Sequence, residues 1–368
     1  QPMWLPFENP TGVLAPTQSG KSLTDLIHKV LAAPGALVTT STKLDLFRLT
    51  ARARERIMGE GTVAVLDLTG TSGWPRIVRW DVLGGCHARR TAHRRAESLV
   101  KGARPGGHSS STQGNHAFFE GRAIETLAAL MQAAAIAKVP LKTFVAWCQN
   151  EEDPQPAEIL LSDPATREYG RSLHSTQNLV QETRDGVFET VRDAISCLID
   201  PVAREMCVGE GAASFSVEKF LERKGTVYIL GSEQTASDMA PLVTAFVSEL
   251  FFRATEIALE SPAERISPPL SAVLDELANI CPLPRLPETL SDSAGRGLLI
   301  HWAAQSRPQL ETSFGKEGAE TLIDNTTALS VFGGLKSRET LQWLSTLAGR
   351  RWDERRSRKG SPLEINLD

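Results

Sequence analysis

Two groups of residues in this chain have the types and spacing that phosphate chemistry requires. The first is Ala15-Pro16-Thr17-Gln18-Ser19-Gly20-Lys21-Ser22. It follows a short apolar run, Gly12 to Leu14, and leads into Leu23 to Ile27. Strand, small-residue loop, Lys-Ser and helix is the layout of a P-loop. Backbone N–H groups of Thr17, Gln18, Ser19 and Gly20 would converge on phosphates, and the following helix adds the positive end of its dipole. Lys21 can reach the β- and γ-phosphates, and the Ser22 hydroxyl can ligate Mg²⁺. One position departs from the strict pattern, because Ala15 stands where Gly is usual. The plain alternative is an ordinary glycine-bearing turn, but that gives no reason for Lys and Ser to follow Gly20 directly.

The second group is Ser271-Ala272-Val273-Leu274-Asp275-Glu276, an apolar run ending in two acids. This is the Walker B pattern of RecA-like ATPases. Asp275 would hold the Mg²⁺ shell, and Glu276 would act as general base on the attacking water. Asp67, in Val65-Leu66-Asp67-Leu68, competes for the metal role but has no second carboxylate beside it. Another apolar run ends in Ala303-Ala304-Gln305-Ser306. Gln305 at a strand tip can sense the γ-phosphate or orient water, or simply cap a backbone group. Arg296, in a Gly-flanked turn before that run, is either a surface arginine or an arginine finger for a neighbouring subunit. Arg307 is a second candidate.

These side chains need a scaffold, and the surrounding sequence supplies one. Ala36 to Thr40, Thr62 to Leu68, Thr226 to Leu230, Leu270 to Leu274, Gly297 to Ala304 and Thr327 to Phe332 read as buried strands. Helical stretches separate the early ones, so the expected core is a mainly parallel α/β sheet with right-handed crossovers. Val78 to Leu83 reads as a short extended piece. From about His87 the texture changes to Ala-, Leu-, Gln- and Glu-rich helix, with periodicity over 118–136, 141–149 and 176–198. The expectation is an all-helical domain inserted into the nucleotide-binding domain: residues 1–92, then the insertion 93–207, then 208–368. The α/β texture resumes with a long apolar-striped helix over 236–260 and a helix over 337–347. Residues 101–113 are Gly- and Ser-rich and read as a mobile loop. Residues 350–360 read as a solvated charged segment, and 362–368 as a last strand or as a remnant end that is not native. The basic stretch over 87–104 is either a solvated helix face or a surface for nucleic acid.

Composition sets the frame. The 368 residues, 41% hydrophobic and 23% charged, suggest two or three globular domains. A net charge of −4 argues against a protein that coats DNA through overall charge, though a local basic channel stays open. The five cysteines form no CxxC pair and read as inert buried thiols of a reducing compartment. No apolar run is long enough to span a membrane, and no signal peptide is visible.

Taken in series, the local patterns resemble the type IV coupling proteins, the TraG/TraD-like ATPases of conjugation and type IV secretion. They are APTQSGKS, Val38 to Lys43 with Asp45, and Val78 to Leu83. Lys224 to Tyr228, VLDELANI, the Gly295-Arg296-Gly297 turn, AAQSRPQLETSFG and Phe332-Gly333-Gly334 continue the series. The match is looser across the helical insertion. The resemblance implies an ATP- and Mg²⁺-dependent hexameric motor at the cytoplasmic face of a bacterial inner membrane. It would recruit a relaxase–DNA complex or secreted proteins, pass them to a secretion channel, and thread single-stranded DNA. Family members usually carry N-terminal transmembrane helices, which are not seen in this chain, and the fragment by itself is expected to be monomeric. Two other readings stay open: an FtsK-like duplex DNA translocase or protein-only secretion ATPase, and a nucleotide-gated docking module with little turnover. The second carboxylate, Glu276, argues against pure docking.

Overall fold

A computed structural model describes residues 5–103, 113–207, 214–232, 235–349, 354–356 and 362–364. Seven strands form one all-parallel sheet: β1 (Thr11–Leu14), β2 (Leu37–Ser41), β3 (Val63–Asp67), β4 (Thr226–Leu230), β5 (Leu270–Leu274), β6 (Leu298–Ala304) and β7 (Ala328–Val331). Their order is β3-β4-β2-β5-β6-β1-β7. The inner strands β2, β4, β5 and β6 are buried at every position. That is why they read as continuous apolar runs rather than alternating ones.

The crossover elements are a π-helical turn (Ser22–Leu26) continuing into α1 (Ile27–Ala32), and α2 (Leu44–Met58). Between β3 and β4 lies a helical insertion: α3 (Arg89–Ala103), α4 (Gln113–Ala137), α5 (Leu141–Gln149), α6 (Gln155–Ser162), α7 (Arg167–Gln177), α8 (Gln181–Ile195) and α9 (Pro201–Met206). Then come α10 (Val217–Glu222), α11 (Ala236–Glu260), α12 (Leu277–Ile280), α13 (Leu286–Ser293), α14 (Arg307–Asp324) and α15 (Arg338–Ala348). Strands β8 (Glu354–Arg356) and β9 (Pro362–Glu364) pair antiparallel as a separate two-stranded sheet. Helix α3 packs on both α4 and α11, so one apolar core runs from the sheet into the insertion without a break.

Several local expectations change. The single helix expected over 176–198 is two. Asn178 ends α7 by donating its side-chain amide to the His174 carbonyl (2.7 Å), a bond that stops the helix before α8 starts. The segment 78–83 is extended as expected: Val78 N–H donates to Val65 O of β3 (2.8 Å) and Trp80 N–H to Met206 O (2.7 Å), while Trp80 and Val82 are buried. Lys101 to Ala103 are the last turn of α3 rather than loop, and 104–112 lie outside the described residues. Most of 350–360 and the end of 362–368 also lie outside them, although Glu354–Arg356 and Pro362–Glu364 are strands. Helices α13 and α14 carry no clear mark in the sequence, because Pro287, Pro308 and Gly315 obscure their periodicity. Both prolines sit in first turns, where no N–H is needed. Gly315 (φ 71°) breaks α14 partway.

Candidate functional site: the P-loop against an acid pair

The parallel sheet brings all its strand C-termini to one edge, and the two chemical groups meet there. The strand β6 lies between β1 and β5. With strands about 4.8 Å apart, the P-loop strand and the acid-bearing strand are roughly 10 Å apart. A lysine side chain spans most of that gap. Lys21 does so, with its Nζ 3.0 Å from Asp275 Oδ1 and 2.5 Å from Glu276 Oε1.

The loop conformation comes from two left-handed residues, Gln18 (φ 60°) and Gly20 (φ 84°). Gly20 takes this region at no steric cost. Ala15 is not in it. Its N–H donates to Ala304 O (3.0 Å), and its methyl is fully buried with Val13, Leu26 and Val30. The first-position alanine is therefore a packed core residue, and the loop bends later than a glycine there would require. Leu23 and Thr24 N–H close the first helical turn on Gly20 O. The Ser19 hydroxyl is buried without a partner among the described residues.

Lys21, Asp275 and Glu276 are each less than a tenth exposed. Burial works against the Lys21 ammonium, but Asp275 and Glu276 outweigh it and hold its pKa above the usual lysine range. Burial pushes the Asp275 carboxyl up, with Lys21 pulling it down and Glu276 pushing it up again. The backbone is arranged for this. The Thr40 hydroxyl at the end of β2 donates to Asp275 O (2.7 Å), and Glu276 N–H donates to Asp275 Oδ1 (3.0 Å). Glu276 itself has φ 52° and ψ 42°, a left-handed conformation that turns its side chain back across the strand ends.

Gln305, at the tip of β6, donates from Nε2 to Glu276 Oε2 (3.0 Å), so the expected strand-end amide does reach the acid pair. Two residues that sequence reasoning passed over join them. Asn279 Nδ2 lies 3.4 Å from Glu276 Oε2, and Gln309 bridges Gln305 N–H and Asn279. Their only sequence signal is spacing, three residues after Glu276 and four after Gln305, each in the first turn of a helix. Beside the acid pair is a cavity of about 370 Å³ lined by Thr17, Thr42, Ala236, Ser237, Glu276, Asn279 and Gln305. The Ser22 hydroxyl and the Asp275 carboxylate are hard oxygen donors of the kind Mg²⁺ takes alongside phosphate oxygens and water, so the residues fit that ion.

Other candidates lie elsewhere. Asp67 ends β3 at the sheet edge and folds its own loop, accepting from Thr69 N–H (3.1 Å), the Thr69 hydroxyl (2.8 Å) and Ser72 N–H (2.7 Å). Although burial raises its pKa, these donors outweigh it and hold the carboxyl below its ordinary range. Arg296 precedes β6 and so sits at the far end of a seven-residue strand from Gln305, about 20 Å away. It is paired with Asp292 (2.9 Å) and Glu264 (2.9 Å). Arg307 is paired with Glu311 and Glu320. The basic stretch forms α3, and its charges are largely internally matched: Arg89 to Glu125, Arg94 and Arg95 to Glu249, Lys101 to Glu97. With α11 and residues 283–289 it lines a cleft of about 680 Å³. All five cysteines are buried and free. Among the described residues no helix is long and apolar enough to cross a membrane.

Residues 269–364 match a family model described as the TraM recognition site of TraD and TraG. This span begins just before β5 and takes in Asp275, Glu276 and Gln305. Over the whole chain, a similar solved structure is the bacterial conjugative coupling protein TrwBdeltaN70 in its unbound monoclinic form. It is 20% identical with a TM-score of 0.65, and the match covers 98% of this chain and 77% of that one. The chain has the fold of the coupling protein TrwB. The resemblance read from the sequence is thus borne out, and so is the parallel α/β architecture with a helical insertion. Plasmid coupling protein TrwB in complex with the non-hydrolysable GTP analogue GDPNP matches at 20% identity and TM-score 0.63, covering 97% of this chain and 78% of that one. TrwB in complex with ADP and Mg²⁺ matches at 20% identity and TM-score 0.62, with 97% and 78% covered. No curated protein matches by sequence.

Proposed function

We propose that this chain is the ATP-hydrolysing part of a coupling protein that drives substrate into a type IV secretion or conjugation channel. The observation that carries the reading is the contact of the P-loop lysine with both acids: Lys21 against Asp275 and Glu276, with Gln305 on the free oxygen of Glu276. A site that only holds nucleotide has no use for a second buried carboxylate set for proton transfer.

In this reading the loop N–H groups of Thr17 to Gly20 cradle the phosphates, and Lys21 leaves the acid pair for the β- and γ-phosphates. Ser22 and Asp275 would hold Mg²⁺, which when bound would draw charge from the phosphate oxygens. Glu276 takes a proton from the attacking water, and Gln305 orients that water. The ADP and Mg²⁺ complex of TrwB, on the same fold, supports the choice of ligands. Six copies form the working ring, and Arg296 of each leaves its two carboxylates to reach a neighbour's site. Residues 1–92 and 208–368 form the motor domain, with 93–207 as the inserted domain. Cargo is a relaxase–DNA complex or a secreted protein, delivered at the inner membrane's cytoplasmic face. The matched TraM recognition region supports a partner contact within 269–364.

The test is the rate of phosphate release from ATP with Mg²⁺, alone and with single-stranded DNA, duplex DNA or a candidate protein cargo. Stimulation by single-stranded DNA or by protein supports the coupling reading. Stimulation by duplex alone favours a pump for double-stranded DNA. No turnover in any condition, with nucleotide still bound, overturns the motor reading in favour of a docking module.

A further inference from the structure

The amides around Glu276 form a relay whose polarity is forced. It starts at Gln305 N–H, a backbone group that can only donate, and that donates to Gln309 Oε1 (2.9 Å). The Gln309 amide is thereby oriented, so its Nε2 turns to Asn279 Oδ1 (2.8 Å). Asn279 accepts on that side, which leaves its Nδ2 facing Glu276 Oε2 at 3.4 Å. The Gln305 side chain donates to the same oxygen (3.0 Å). No amide in the relay can flip without setting two donors or two acceptors against each other. The relay is anchored at both ends. Gln309 sits in the first turn of α14, its N–H donating to the capping Ser306 hydroxyl (3.4 Å). Farther along α14, the Ser313 hydroxyl donates to Ala278 O in α12 (3.1 Å).

We infer that Asn279 and Gln309 are positioning residues for Glu276. They hold Oε2 so that Oε1, the oxygen now on Lys21 at 2.5 Å, is the one presented to water when Lys21 turns to phosphate. A carboxylate in water swings freely, whereas one pinned by two amides through one oxygen presents the other in a single direction. The inference rests on the hydrolysis reading above and adds residues that it does not require.

The informative variant is Gln309→Glu, which keeps the shape and still accepts from Gln305 N–H but has no N–H to give Asn279. Asn279→Leu, similar in size and uncharged, removes the donor to Glu276 without setting a second carboxylate against it. With the full chain, ATP and Mg²⁺, kcat falls about tenfold in either variant, roughly the worth of one hydrogen bond. The KM and the affinity for a fluorescent ATP analogue stay at wild-type values, and the thermal midpoint falls by no more than a few degrees. In a Glu276→Gln background, Gln309→Glu has no further effect, because the group it positions is gone. Unchanged kcat in Gln309→Glu with wild-type turnover intact overturns this inference alone. So does an equal loss of nucleotide affinity, or a full tenfold effect in the Glu276→Gln background. Absence of turnover in the wild-type chain overturns the hydrolysis reading and this inference with it.

Discussion

Replacing Glu276 with Gln separates its observed contact with Lys21 from the general-base role proposed for it. Glu276 Oε1 accepts from Lys21 Nζ at 2.5 Å in a site where both residues are less than a tenth exposed. If Lys21 is to hold phosphates, this contact and the one to Asp275 compete with nucleotide. Glutamine keeps the shape and can still accept from the Lys21 ammonium, but the contact is no longer between opposite charges. Loss of the opposite charge weakens the contact by on the order of 1 kcal/mol, which predicts roughly fivefold to tenfold tighter nucleotide binding. Turnover moves the opposite way, because loss of a general base costs about 10²–10⁴-fold. The assay is equilibrium titration with a fluorescent ATP analogue in Mg²⁺, with phosphate release measured on the same samples. Lys21→Ala is the control and loses nucleotide affinity outright. Unchanged or weaker binding in Glu276→Gln would refute the competition argument. Wild-type turnover would refute the general-base assignment, whatever the binding shows.

Two further outcomes test the packing around the site. Ala15→Gly restores the usual first residue of the loop pattern, yet it should not improve nucleotide affinity, because Ala15 is fully buried and outside the left-handed region. It should cost about 1–2 kcal/mol in urea unfolding, from backbone entropy and a lost buried methyl. His301 in β6 is 2% exposed, and its ring Nδ1 is 2.9 Å from the Thr11 hydroxyl. Burial, with a smaller push from Lys29, takes its pKa from 6.5 down to about 3. The unfolded chain therefore takes up a proton below pH 6.5 that the folded chain refuses until about pH 3, so stability falls as pH drops through that window. Between pH 7 and pH 5 this one residue should cost about 2 kcal/mol. The slope should shrink in His301→Gln, and an equal slope in that variant would count against the assignment.

Much of the scaffold is legible in local sequence patterns. The strands Thr226–Leu230 and Leu270–Leu274 and the helices Leu141–Gln149 and Ala236–Glu260 fall where those patterns put them. Buried parallel strands and long apolar helices declare themselves in short windows. The elements that escape detection do so for the same reason. Helix α14, with Pro308 at its start and Gly315 inside it, has no clean period.

The sequence by itself determined the chemistry on offer: a phosphate loop ending in Lys21-Ser22, an acid pair at Asp275-Glu276, and an amide at Gln305. These are local signals, because each depends on residue types a few positions apart. Only the tertiary structure decided how they combine. Strand order places β6 between β1 and β5, and so sets Lys21 against acids 254 and 255 positions away, with Gln305 between them. It turns Asp67 to capping its own loop and matches most of the basic charges of α3 with carboxylates. It also brings Asn279 and Gln309 onto Glu276. A hydrogen bond between side chains on different elements depends on topology and register, and no short stretch of the chain carries either.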